Sequence, residues 1–217
     1  KKSQTGNSVL DSDSEKPSPN SIKTHKITDP ENILVLVNKN RYLSSDYVPT
    51  DLIQPDIPFS FNEDLPKKLM RKEAADALTS LFQQASAEGI ALLGVSGYRS
   101  YYTQKSIFDY KTSQVGKERA NRVSAQPGFS EHQTGLAMDI TCPSVAALKI
   151  SFGSTSEGEW VAKNAYKFGF IIRYPKGKET ITGYDYEPWH LRYVGVEVAH
   201  LIQQKNITLD EYLIDPS

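Results

Sequence analysis

Four residues in this sequence have the types and spacing that hydrolytic chemistry needs: His132, Asp139, Glu187 and His190. Two neutral imidazoles and one carboxylate give a zinc ion three protein ligands and leave a position for water, the pattern of a catalytic rather than a structural site. His132, Asp139 and His190 supply that set, for one Zn²⁺ per chain. Such an ion acidifies its water and polarises a carbonyl. A carboxylate outside the ligand set must then take the water's proton and hand it to the leaving amine. Glu187, three residues before His190, is the candidate, with a ligand-orienting or spare-ligand role as its alternative. Asp139 has an alternative too, because an acid on an apolar strand is satisfied by an arginine as well as by a metal. His132 could equally cap a loop. His25 reads as a solvated histidine in a polar stretch, and His200 as a surface or core-edge residue of a helix.

These residues need a scaffold. Leu136 to Thr141, Phe170 to Tyr174 and Trp189 to Val194 read as strands, so Asp139 and Thr141 share one face while Met138 and Ile140 share the other. Pro188 argues against a helix around Glu-x-x-His and for a bend that swings Glu187 toward His190. If the strands of Asp139 and His190 are neighbours, both project from one sheet face, and His132 arrives from the preceding loop. Upstream, Leu34 to Val37 is a strand candidate. A helix is expected from Asp64 and Pro66 to Gly89, on the spacing of Leu65, Leu69, Leu78, Leu81, Phe82 and Ala85. Ile90 to Val95 reads as a buried strand, and Ser100 as the cap of a helix ending at Gly116. Further helices are expected from Ser156 to Phe168, with Gly169 at its end, and from Val196 to Gln204. Thr208-x-x-Glu211 has the form of a capping box. Helices first and strands later, without a βαβ rhythm, imply an α+β domain: a small antiparallel sheet flanked by helices, with the zinc site on the sheet face.

The 217 residues fit one domain plus a tail, spanning residues 31–217 and 1–30. The net charge of -1 gives no electrostatic footprint for nucleic acid. No apolar stretch reaches the roughly 20 residues of a membrane helix. Residues 1–30 are polar and are expected to form a flexible tether. The lack of a start methionine and of an apolar signal core suggests a mature or trimmed form, once anchored outside a membrane. The single cysteine, Cys142, lies opposite Asp139 in strand alternation and reads as a small buried hydrophobe.

Ser130-x-His132-x(6)-Asp139 together with Glu187-x-x-His190 resembles the VanY-type D-alanyl-D-alanine carboxypeptidases, a family that includes peptidoglycan L,D-carboxypeptidases. Leu34-Val35-Leu36-Val37-Asn38-Lys39, Ser96-Gly97-Tyr98-Arg99-Ser100 and Glu187-Pro188-Trp189-His190 resemble family segments in the expected order, over Ile33 to the C-terminus. The resemblance implies a zinc enzyme of the cell envelope, expected as a monomer, that removes terminal D-alanine from peptidoglycan stem peptides. It also implies that Arg99 stabilises the oxyanion or holds the substrate carboxylate. Gln104 and Ser130 would add hydrogen bonds to that carboxylate, and Tyr98 and Trp189 would wall the pocket. L,D-cleavage of a tetrapeptide is favoured over D,D-cleavage of a pentapeptide. An endopeptidase and a catalytically silent cell-wall binding module are the remaining readings.

Overall fold

The computed structural model describes residues 23–145 and 147–214. Four short strands come first: β1 (His25–Lys26), β2 (Arg41–Tyr42), β3 (Leu52–Ile53) and β4 (Met70–Arg71). Then follow α1 (Lys72–Ala87), β5 (Leu93–Ser96), α2 (Tyr101–Val115), α3 (Lys117–Val123) and β6 (Ala137–Thr141). The chain continues through α4 (Ser156–Asn164), β7 (Phe170–Tyr174), α5 (Glu179–Thr182), β8 (Glu187–Tyr193), α6 (Val196–Lys205) and α7 (Leu209–Ile214). The central sheet has the order β5-β6-β8-β7 and is antiparallel throughout, the expected α+β arrangement. β3 pairs with β4 antiparallel, and β1 pairs with β2 in parallel.

Strand alternation splits the sheet into an apolar face and a mixed one. Met138 and Ile140 of β6 and Leu191 of β8 join a core with Leu78, Leu81, Phe82 and Ala85 of α1 and Val161 of α4. Each large aliphatic side chain buried there contributes on the order of 2 kcal/mol. On the opposite face, Ile171 packs with Val194, with Ala199 and Ile202 of α6, and with Leu209 of α7. Apolar cover therefore closes one end of this face, and Asp139 and His190 occupy the other. The caps follow the sequence. Ser100 accepts from the backbone N–H of Thr103 to start α2, and Thr208 and Glu211 exchange the two bonds of a capping box at α7.

Three expectations need correction. The helix expected from Asp64 begins at Lys72. Residues 66–68 form a 3₁₀ turn instead, and the carbonyls of Lys67 and Leu69 accept from Gly97 and Tyr98, so this stretch serves the Ser96–Arg99 segment. The apolar run Leu34 to Val37 is not a strand. Its side chains Val35 and Val37 enter the core, while the carbonyls of Ile33 and Val35 receive the buried Arg192 guanidinium rather than a neighbouring strand. The boundary of the tether also moves. Strand β1 and the buried Ile27 belong to the folded unit, although His25 itself is exposed. The rest of the expected tether, residues 1–22, lies outside the described residues. No helix among the described residues is long and apolar enough to cross a membrane.

Candidate active site and metal centre

Register places the site. Asp139 lies directly opposite His190 between β6 and β8. Glu187 and His190 are three residues apart, which on a regular strand would put them on opposite faces. Against β7, however, β8 advances from Leu191 to Glu187 while β7 advances only from Ile172 to Tyr174. This irregularity contains Pro188 and returns Glu187 to the His190 side, with its Oε2 3.6 Å from His190 Nδ1. His132 comes from the 3₁₀ turn Glu131–Thr134, which ends on Gly135 at a left-handed φ of 69°. One donor atom each from His132, Asp139 and His190 lies within 4.8 Å of the others, and all three residues are buried. His132 Nε2 is 3.3 Å from Asp139 Oδ2, and His190 Nδ1 is 3.2 Å from Asp139 Oδ1.

Hydrogen bonds on the far side of each ring fix which nitrogen is free. His132 Nδ1 donates to the Gly97 carbonyl at 2.8 Å, leaving the Nε2 lone pair toward Asp139. His190 Nε2 lies 3.3 Å from Glu131 Oε2, leaving Nδ1 toward Asp139. This is the usual way a protein orients imidazole ligands. Asp139 Oδ1 is buried and has no hydrogen-bond donor among the described residues that meets full geometry, although His190 Nδ1 lies 3.2 Å away. The surroundings of the site also favour positive charge there. Burial alone would lower the His190 pKa, but the carboxylates of Asp139, Glu131 and Glu187 push it up to about 9. Burial likewise opposes ionisation of Asp139, yet the two histidines hold its pKa well below the carboxylate range. The cage attracts positive charge and has an orphaned oxygen aimed into it, so its donor set fits a divalent cation of zinc's preferences.

Around this group lies a cleft of about 370 Å³ lined by Arg99, Ser130, Glu187 and Trp189 among others. Arg99 Nη2 is 3.9 Å from Asp139 Oδ2, and the guanidinium donates to Ser96 Oγ at 3.0 Å and Gln104 Oε1 at 2.8 Å. Gln104 is a correction. Buried and absent from the cleft lining, it uses its Nε2 on the Ala125 carbonyl at 2.6 Å, so it positions Arg99 and has no free group for a substrate. Tyr98 lines an apolar pocket beside Leu65 and Pro66 that adjoins the cleft at Arg99 and Ile107. Cys142 is buried in the core, away from the metal group. Burial is also the largest influence on Glu187 and pushes its pKa up to about 7, with Asp139 adding to the effect.

One group was absent from the sequence reading. Glu131 is fully buried and accepts from Arg173 Nε at 2.7 Å and Arg192 Nη1 at 2.6 Å, while Arg173 Nη1 donates to Asp210 at 2.5 Å. Two acids and two arginines thus form a charge-balanced layer directly behind His190. Gly97 matters for the same reason as His132, whose ring it anchors. A Cβ at Gly97 would lie 2.4 Å from the Leu69 carbonyl and 2.8 Å from Met138 Cε. Gly97→Ala is therefore expected to cost about 1–3 kcal/mol, as overpacking does. In a thermal melt this reads as a Tm loss of about 2–4 °C per kcal/mol.

The D-alanyl-D-alanine carboxypeptidase family VanY matches residues 67–196, which contain His132, Asp139, Glu187 and His190. The chain belongs to the VanY family. Among curated relatives, the Bacillus subtilis protein YodJ, which carries a provisional carboxypeptidase name, is 57% identical over 86% of this chain and 68% of its own length. A solved LdcB LD-carboxypeptidase is 56% identical, with a TM-score of 0.84 over 88% of this chain and 89% of the other. A zinc complex of a mutant VanY D,D-pentapeptidase from a vancomycin-resistance cassette is 34% identical. It superposes with a TM-score of 0.70 over 83% of the present chain and 98% of its own.

Proposed function

We propose that this chain is an extracytoplasmic zinc carboxypeptidase, monomeric with one ion, that hydrolyses the terminal D-alanine of peptidoglycan stem peptides and prefers L,D-cleavage of tetrapeptides. The observation that carries the proposal is the convergence of His132, Asp139 and His190 on one point, with Glu187 beside them but outside the donor set. Those three residues would hold the ion, which supplies Lewis acidity toward water and the scissile carbonyl. Glu187 then accepts the proton of the attacking water and delivers it to the departing amine of D-alanine. A carboxylate whose pKa sits near 7 suits both transfers. Arg99 offers a planar cation that is held in place by Gln104 and Ser96 and aimed into the cleft. It matches the substrate's terminal carboxylate or the oxygen that gains charge. Ser130 and Trp189 line the same space, for a hydrogen bond and an apolar wall respectively.

Similarity to the LdcB enzyme supports the L,D preference. The test is to incubate the protein with tetrapeptide and pentapeptide muropeptides, with and without a chelator, and follow the products by mass spectrometry. Loss of one alanine from the tetrapeptide, blocked by chelation and restored by zinc, is expected. Loss from the pentapeptide alone would make the enzyme a D,D-carboxypeptidase. Loss from neither would defeat the proposal.

A further inference from the structure

The cleft extends beyond the metal group to a wall built from α2 and α3, where Lys111 and Arg119 line it. Of the acids that share this cleft, Glu187 stands at the metal group beside His190, away from the distal wall, and the other three are already matched. Glu131 is neutralised from behind by Arg173 and Arg192. Asp139 faces the two imidazoles and Arg99. Asp185 is held by Arg119 at 2.8 Å and by Arg122 at 2.6 Å, so one carboxylate serves two guanidinium groups. Glu118 and Glu179 act on Arg122, and neither lines the cleft. Lys111 is half-buried in the wall and has no ion-pair partner among the described residues. The distal wall therefore carries uncompensated positive charge, whereas Ile150 and Trp189 give the cleft apolar surface.

A half-buried cation without a partner, in a cleft that admits ligand, is matched best by an anion on that ligand. With Arg99, beside the metal group, taken as the partner of the substrate's terminal carboxylate, the distal pair is left for another anion. We propose that Lys111 and Arg119 bind a second substrate carboxylate, on a residue upstream of the scissile bond. This inference rests on the carboxypeptidase reading and names the substrate class more narrowly: peptides ending in D-alanine with an acidic group further back. A stem peptide whose D-glutamate is joined through its side chain has such a group, since its α-carboxylate stays free. Amidation of that carboxylate removes the charge while keeping the shape, so the site discriminates between the two forms.

The test compares L-Ala-γ-D-Glu-L-Lys-D-Ala with its α-amide counterpart, using the zinc-loaded protein and its Lys111→Met variant. With the wild-type protein, KM for the free acid is expected to lie about tenfold below that for the amide, the equivalent of one well-placed charge contact. In the variant, the KM ratio should fall below about twofold, with the kcat ratio of the two peptides unaltered. Equal KM values in the wild type, or an undiminished preference in the variant, would overturn this inference alone. Cleavage of neither peptide by the wild type would overturn the carboxypeptidase reading and this inference with it.

Discussion

Glu187→Gln is expected to bind zinc at close to one ion per chain while its kcat for D-alanine release falls by about 10²–10⁴, the range for losing a positioned general base. The substitution keeps the shape and volume of the side chain and touches none of the three donors. His190 Nδ1 loses a neighbouring carboxylate at 3.6 Å but keeps Asp139 and the Glu131 contact that orients its ring. KM should change little, because an amide still fills the same space. Metal analysis of the purified variant and single-substrate kinetics check both halves. A variant with activity within about fivefold of the wild type would place the base elsewhere. One that lost its metal would make Glu187 part of the donor set.

Glu131→Gln is expected to be the most destabilising conservative change near the site. Breaking a buried pair by removing one partner costs about 3–5 kcal/mol, because the remaining charge stays buried. Here the loss leaves two guanidinium groups with no exposed surface, Arg173 and Arg192, with Asp210, bound to Arg173, as the one remaining acidic partner in this layer. At about 2–4 °C per kcal/mol for a domain of this size, Tm should drop by roughly 10 °C. The pH dependence separates this from a packing effect. Burial opposes ionisation of Glu131, but Arg192 and Arg173 overcome it and hold the folded pKa well below the usual carboxylate value. Its contribution is thus complete above the ordinary pKa of about 4.3 and drains away only as pH falls toward the folded value. Wild-type melts should weaken in acid by a component that the variant lacks. A variant that melts within about 2 °C of the wild type at neutral pH would mean that water reaches the two arginines.

Much of the site was legible because metal donors are rare residue types in informative company. His132, Asp139 and His190 stood out against only four histidines, and strand alternation put Asp139 on the polar face before the sheet order was known. The strand Phe170–Tyr174, the Ser100 cap and the Thr208–Glu211 box are local features written in local residues, and they read correctly. What failed depended on distant chain. Leu34 to Val37 has the composition of a strand but meets a guanidinium from residue 192. Gln104 has the chemistry of a substrate ligand, but residues 124 and 125, some twenty positions on, occupy its amide. The Glu131 layer left a usable trace. Arg173 and Arg192 each sit in an apolar strand, the same anomaly that singled out Asp139, and the rule that an isolated buried charge needs a partner applied to them equally.

The irregular register of β8 makes two properties of this site separable by backbone alone. Asp139 and His190 face each other across a regular part of the ladder, so capture of a cation depends on ordinary pairing. Glu187 reaches them across an irregular stretch containing Pro188 and Trp189, where β8 advances four residues against two of β7. Excising that dipeptide would straighten the strand and carry the acid to the core side, leaving a domain that still holds the ion but lacks its proton acceptor. A metal-sequestering relative could therefore arise from this hydrolase, or the hydrolase from it, through one short insertion and with no change in donor residues.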